Sequence, residues 1–492
     1  MGTAAELEAS LREFAARGVV EVRENGSRLA PLSKLFWEVR GSGEKPLIHL
    51  WSEHYNVTRR VLAITDNSDQ RLALAIERFG CSKPDRMEFV LVDFERDSRG
   101  LSREQFCDRM KNLLAEQFPD ETLESLTTSS DLEHSLSGNY VRGLLRRDST
   151  ATALLAVSDG ESSETVEGSL TFGLLWLERL RERVARGTVD GLRLVVPSRA
   201  AKMIRHVCGA LKPGFRIELF EHDSVREIFH PVDLSRAGNL ETRVVSRQES
   251  ERLLERARPA LNPILSIHPD AMSLHASTQS EEVWVRFRGL TVACWNPNRV
   301  SLFFGKATEG LCESSLPKFK KLLHDLEVHR HPLASDTRHP LYRPQPERWL
   351  EYIVSKDVIR IDAGLDPRLV YEQVLVNAGG EHGIIDLLAV TRSGRLAIIE
   401  LKNSEHIHLP IQAAGYWLFI RRHLEQGNFQ RCGYFPGIEL QTAPPIVYLV
   451  APAMRFHPST DTLLRYFHPK LEVIQVGLAE NWRRGLRVVL RR

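Results

Sequence analysis

Two short, strongly apolar runs broken at set places by charge constrain this chain more than any other feature. Gly383-Ile-Ile-Asp386-Leu-Leu-Ala-Val390 and Leu396-Ala-Ile-Ile-Glu400-Leu-Lys402 are separated only by Thr391-Arg-Ser-Gly394 and Arg395. Runs of this length around a Gly-containing turn predict an antiparallel hairpin. A tight hairpin register lays Asp386 beside Glu400. Alternation along the second strand puts Glu400 and Lys402 on one face and Ile399 and Leu401 on the other.

Burying two carboxylates side by side costs both desolvation and mutual repulsion. A divalent cation removes that cost. Hard oxygen donors suit Mg²⁺ or Mn²⁺, which keep waters and share their sites with phosphate. The lysine supplies a point charge for a phosphate or an attacking hydroxide. The chain has 13 Lys against 53 Arg, so a lysine here is not the chain's default cation. Alone, a Glu-x-Lys is equally a surface salt bridge on an edge strand. Its neighbours shift that balance. Pro346 opens a helix carrying Glu347, with Glu351 as its rival at i+4 on the same face. After the hairpin, a helix from Ile411 to about Glu425 places Gln412 and Tyr416 on one face.

Helix with Glu347, Gly383-Ile-Ile-Asp386, Ile398-Ile-Glu400-Leu-Lys402, then Gln412-Ala-Ala-Gly-Tyr416 resembles the PD-(D/E)XK nuclease superfamily. This version is similar to the C-terminal nuclease domain of the NucS/EndoMS family, with RecB-type nucleases close behind. The resemblance covers residues 340–420 well and 340–490 loosely; residues 1–330 fall outside it. It implies that Asp386 and Glu400 hold the metal with the carbonyl of Leu401. It further implies that Lys402 orients or stabilises the attacking water, that Gln412 supports the site, and that Glu347 completes the acidic set. Substrate-binding candidates are Tyr416, Arg392 and Arg395 at the hairpin turn, and His406 and His408 after the Lys402 strand. Helix-to-sheet packing explains Gln412 and Tyr416 equally well, and a solvated face explains Arg421 and Arg422.

The resulting expectation is a Mg²⁺- or Mn²⁺-dependent DNA endonuclease. Two rivals stand beside it: an RNase or ligand-activated defence nuclease, and an inactive DNA-binding or scaffold protein of the same fold. A formal charge of +2 over 492 residues excludes binding to nucleic acid by bulk charge and places any such site locally.

The fold class read from the sequence is α/β. A C-terminal restriction-endonuclease-like domain (mixed sheet flanked by helices) follows an N-terminal α/β region. The domains expected are 1–222, of unknown role; 223–280, a charged and largely helical linker; and 281–492, a β-meander leading into the nuclease-like core at 340–480. A helix is expected over residues 1–17 and another over Asp69–Phe79. The order strand, helix, strand, helix, strand occurs in 151–220 and again in 395–476. That is either a degenerate second copy without Glu-x-Lys or the ordinary order of an open α/β sheet.

No apolar run approaches the roughly 18–20 residues that cross a bilayer. The N-terminus lacks the pattern of a secretory signal. The six cysteines form no CxxC pair, which argues against zinc ribbons and disulfide scaffolds. A cytoplasmic protein with no membrane partner is expected, with a homodimer through the N-terminal region as the oligomer to test. The glycine-rich Gly41–Lys45 lacks P-loop spacing, and no GxSxG elbow occurs.

Overall fold

The computed structural model describes residues 4–18, 20–24, 27–32, 35–41, 46–51, 56–68, 71–77, 85–91, 103–183, 188–235, 242–278, 280–305, 307–378 and 381–492. Residues 42–45 of the glycine-rich stretch and Cys81 lie outside them. The chain divides into two compact units, Met1–Leu101 with Ser301–Ser315, and Ser102–Val300 with Leu316–Arg492. The break near residue 101 replaces the expected one at 222.

In the first unit, helix Ala4–Ala16 buries Leu7, Leu11 and Phe14 in one core with strand residues such as Val22, Leu72, Leu74 and Phe89. Its strands between Val20 and Leu91 form a seven-stranded sheet, antiparallel throughout. The helix expected over Asp69–Phe79 is instead the strand Arg71–Glu77. Leu72, Leu74 and Ile76 are buried at a period of two, and pairing on both sides overrides the helix-forming Ala, Leu and Arg.

Two sheets of the second unit share one topology. The first contains β1 (Thr122–Thr127), β2 (Val141–Arg147), β3 (Thr150–Ala156), β4 (Thr188–Pro197), β5 (Arg216–Asp223) and β6 (Ile228–Pro231), in that spatial order. The second contains β7 (Leu365–Ala378), β8 (Glu381–Thr391), β9 (Leu396–Leu401), β10 (Ile446–Pro452), β11 (Glu472–Leu478) and β12 (Val488–Arg491), again in sequential order. In each, two antiparallel pairings are followed by two parallel ones and a final antiparallel one.

The helices repeat too. Helix α1 (Arg103–Gln117) precedes β1, while α2 (Ser169–Arg183) and α3 (Ser198–Cys208) make the parallel crossovers of the first sheet. Helix α4 (Pro346–Lys356) precedes β7, while α5 (Leu409–Glu425) and α6 (Thr460–Leu464) make those of the second.

The two halves meet through their crossover helices, α2 against α6 and α3 against α5. At the centre, Leu211 pairs antiparallel with Phe467, flanked by Lys212 N–H to Tyr466 O at 2.9 Å and His468 N–H to Ala210 O at 2.8 Å. Equivalent segments thus face each other about a local two-fold relation. One hydrophobic core runs through both halves, including Leu155, Leu174, Ile204, Ile398, Trp417 and Leu449.

The far side of the second sheet forms a separate core with α4, built on Trp349, Leu350, Ile399, Leu401 and Tyr448. Every residue of β9 is buried, which is why its sequence reads as a continuous apolar run rather than an alternation.

Residues 223–280 are not a linker. Thr242–Val244 pairs with β7 as the sheet's edge. Helix Arg247–Leu265 buries Leu253, Ala257, Leu261 and Ile264 and packs on the strands Met272–Ser277, Glu282–Phe287 and Leu290–Asn296. The 14-residue β7 fills a stretch in which the sequence patterns identified no strand. Among the described residues no helix is long and apolar enough to cross a membrane.

Candidate active site

The β8–β9 ladder is regular as far as Leu387 opposite Ile399. One step on, side chains take over the pairing. The Asp386 carboxylate accepts the Leu401 N–H at 2.9 Å, and Glu400 Oε1 faces the Asp386 N–H at 3.4 Å. Glu400 is 1% exposed, and its Oε2 is buried with no hydrogen-bond partner. Burial, reinforced by the Asp386 charge, pushes the Glu400 carboxyl well above the usual carboxylate range. Burial also raises Asp386, against the opposing effects of the Leu401 N–H and Lys402.

Lys402 closes the group, its Nζ 3.6 Å from Glu347 Oε2. Glu347 is the more exposed of the two helix acids. Glu351, one turn on, is 3% exposed. Its Oε2 accepts from Arg348 at 2.8 Å and from Gln373 Nε2 at 2.9 Å, while Oε1 is buried without a partner. Burial pushes the Glu351 carboxyl up to about 8. Both acids line the cleft. Glu347 pairs with the lysine, whereas Glu351 belongs to the buried, under-compensated set.

The cleft, about 800 Å³, is lined by Glu347, Glu351, Asp386 and Lys402 together with Gln412 and Tyr416. Gln412 Nε2 donates to the Tyr416 hydroxyl at 3.0 Å. The Tyr416 ring lies so close to Gly383 that a Cβ there would sit 2.7 Å from its Cε1. This is the physical reason a glycine opens the Gly-Ile-Ile-Asp run.

Three residues at the site carried no signal in the sequence patterns. Arg286, on the strand Glu282–Phe287, lines the cleft from the meander. Arg348 is the counter-ion of Glu351. Gln373 sits in β7 with φ of 55°, a left-handed conformation rare for a residue with a side chain, and it aims its amide at Glu351. Nothing in local composition marks any of them, because each arrives through tertiary packing.

Two expected substrate contacts are elsewhere. Arg392 and Arg395 flank the turn at the opposite end of β9 from Glu400, and at roughly 3.3 Å per residue the strand separates them from the acids. Arg395 is engaged structurally, donating to Pro444 O at 2.8 Å and pairing with Glu472 at 2.7 Å. His406 and His408 lie beside the cleft, facing α2 and α3 rather than the acids. His408 Nδ1 is 2.9 Å from Thr171 Oγ1, and burial lowers both imidazoles to about 4.

The second unit also contains the register equivalents of the site. Val157 N–H donates to Val195 O in β3–β4 as Lys402 N–H donates to Val450 O in β9–β10. On this register Leu155 holds the place of Glu400, and Val157 that of Lys402. Arg142, opposite Leu155, holds that of Asp386. Arg142 is buried, stacks over Trp176 at 5.4 Å and donates to Ser129 O. A cation and two apolar side chains cannot bind a metal.

Asp386, Glu351 and the buried Glu400 behind the cleft offer hard oxygen donors suited to a divalent cation, with an orphaned oxygen on Glu400 and another on Glu351. A different acidic group, Asp131, Glu133 and His134, brings ligand atoms within 4.8 Å of one another. There Asp131 is already balanced by Arg179, Arg183 and His134. No known protein family and no characterised protein matches this chain by sequence.

Proposed function

We propose that the chain is a metal-dependent nuclease acting on DNA. In this reading the second half is a restriction-endonuclease-like domain, and the first half is a copy of it without catalytic groups. The observation that carries it is the Glu400 carboxylate, fully buried beside Asp386 with one oxygen left without a partner. A folded chain keeps such a group only when a proton or a bound cation neutralises it, and Lys402 is shared with Glu347. Asp386, Glu400 and the Leu401 carbonyl would hold Mg²⁺ or Mn²⁺. Bound there, the ion supplies Lewis acidity toward a phosphodiester oxygen and lowers the pKa of water.

The chain's own groups do the rest. The β8–β9 main chain holds the two carboxylates in place through the Leu401 and Asp386 N–H groups. Lys402, steered by Glu347 at 3.6 Å, presents an ammonium to the attacking oxygen or the scissile phosphate. Arg286 and Arg348 at the cleft wall offer cations to flanking phosphates, which gives affinity without sequence readout.

The test is a cleavage panel of single-stranded, duplex, branched and mismatched DNA, and RNA, with Mg²⁺ or Mn²⁺ and with Glu400→Ala as control. Cleavage of DNA that Glu400→Ala abolishes is the expected result. Preference for RNA would replace DNA as substrate, and no cleavage of anything would overturn the enzyme reading.

A further inference from the structure

A cavity of about 360 Å³ lies against the catalytic cleft, between the α2–α3 region of the first half and α5 of the second. Gly383, Gln412 and Tyr416 line both spaces, so the Gln412–Tyr416 hydrogen bond is their common wall. Met203, Val207 and Ile411 supply apolar surface, and the rings of His406, His408 and Tyr416 supply flat walls.

The lining includes no Lys or Arg, but it does include Glu164 and Glu167. A phosphate entering would meet carboxylates and no cation. Polar capacity is nevertheless present and unused. His406 Nδ1 and His206 Nε2 are buried without hydrogen-bond partners. Burial favours the neutral form of both imidazoles; His206 is already hydrogen-bonded to the Gly415 backbone, which leaves its Nε2 as the free nitrogen. Flat apolar walls, neutral donors and acceptors, and exclusion of anions together select an uncharged heteroaromatic ring, in a volume typical of small-molecule sites.

We propose that this cavity holds a nucleobase, and that the base belongs to the strand whose phosphodiester lies in the adjoining cleft. The proposal rests on the nuclease reading for the source of the base. It also gives the inactive half a role, because α2 and α3 wall a base pocket next to the one catalytic centre. A base seated in this cavity is out of the helical stack, so an unpaired nucleotide beside the scissile phosphate is the favoured substrate.

The test is binding of a labelled single-stranded oligonucleotide to the full-length Glu400→Ala chain in Mg²⁺, with each base in turn replaced by an abasic site. One position is expected to weaken binding about tenfold, as loss of a stacked base does. Met203→Trp, which fills the cavity, is expected to weaken the intact strand by a similar factor and to erase the effect of that position. His206→Phe keeps the shape, removes the free nitrogen, and serves if the tryptophan variant melts early.

A flat scan that Met203→Trp leaves unchanged overturns the proposal. A flat scan with adenosine or guanosine monophosphate binding that Met203→Trp abolishes assigns the base to a free nucleotide and overturns the strand assignment. A positional step in binding from a chain that cuts nothing removes the nuclease reading and leaves the pocket standing. Cleavage with a flat scan does the reverse.

Discussion

Asp386 and Glu400 hold each other's strands. The Asp386 carboxylate accepts the Leu401 N–H at 2.9 Å, and Glu400 Oε1 faces the Asp386 N–H at 3.4 Å, where the regular ladder has just ended. The two acids are therefore built into the sheet, where burial raises both carboxyls and makes their ionised forms costly in the metal-free chain. Glu400→Gln keeps the shape and removes that charge. It is expected to raise metal-free stability by about 1 kcal/mol or more and to abolish stabilisation by Mg²⁺. Cleavage should fall at least about a hundredfold. Thermal melts with and without Mg²⁺ check the first two, and cleavage rates the third.

Glu351 sets a pH dependence. Its carboxyl is raised from 4.5 to about 8 by burial, so the folded chain holds a proton that the unfolded chain releases. Its stabilising contribution is fully present below pH 4.5 and is lost as pH rises through about 8. In EDTA, stability should decline across that window, and Glu351→Gln should flatten the decline. A series of melts at stepped pH, wild type against variant, reads this directly; equal slopes would refute it.

Lys402 is an ammonium held 3.6 Å from Glu347 with only 14% of its side chain exposed. Lys402→Met should reduce cleavage about a hundredfold or more while leaving DNA affinity within about twofold. Lys402→Arg should not restore the rate, because a planar fork cannot occupy the place of a compact point charge. Single-turnover rates and equilibrium binding on the same duplex separate the two effects.

Arg395 tests the assignment of the hairpin turn. Its contacts are Pro444 O and Glu472, far along β9 from the acids. Arg395→Ala should cost about 1 kcal/mol of stability. DNA affinity and cleavage should stay at the wild-type level. A drop in affinity that exceeds the stability change would return this residue to the substrate path.

On the nuclease reading, Arg142, Leu155 and Val157 at the equivalent positions of the first half leave one centre for cutting. If duplex DNA is a substrate, supercoiled plasmid should accumulate as open circles before any linear form. Direct linearisation in single-hit kinetics would contradict a single centre.

The hairpin, the helix carrying Glu347 and Glu351, and the Gln412–Tyr416 helix were legible because each is a local pattern. Apolar runs, a Gly-containing turn, a proline at a helix start and an i, i+4 spacing all lie within a few residues. Other elements lacked such signals. Strand β7 mixes polar and apolar residues, and its ladder with β8 shifts register between Leu365 and Val370, so no simple period marks it. Arg71–Glu77 is rich in helix formers and becomes a strand only because neighbours pair with it on both sides. The charged stretch after residue 223 is ordered by what its helix covers.

The sequence by itself determined which residues carry charge into an apolar hairpin, and that Asp386, Glu400 and Lys402 must lie close together. Alternation fixes the faces, and a short turn brings the two runs together in sequence. Tertiary structure alone decided that Glu351 is buried with Arg348 and Gln373, and that Arg395 is spent on Glu472. It also decided that a second half of the same topology packs against the first across Leu211 and Phe467, placing a cavity beside the cleft. Those relations join residues far apart in sequence, and burial, which no single stretch of chain specifies, is what makes them.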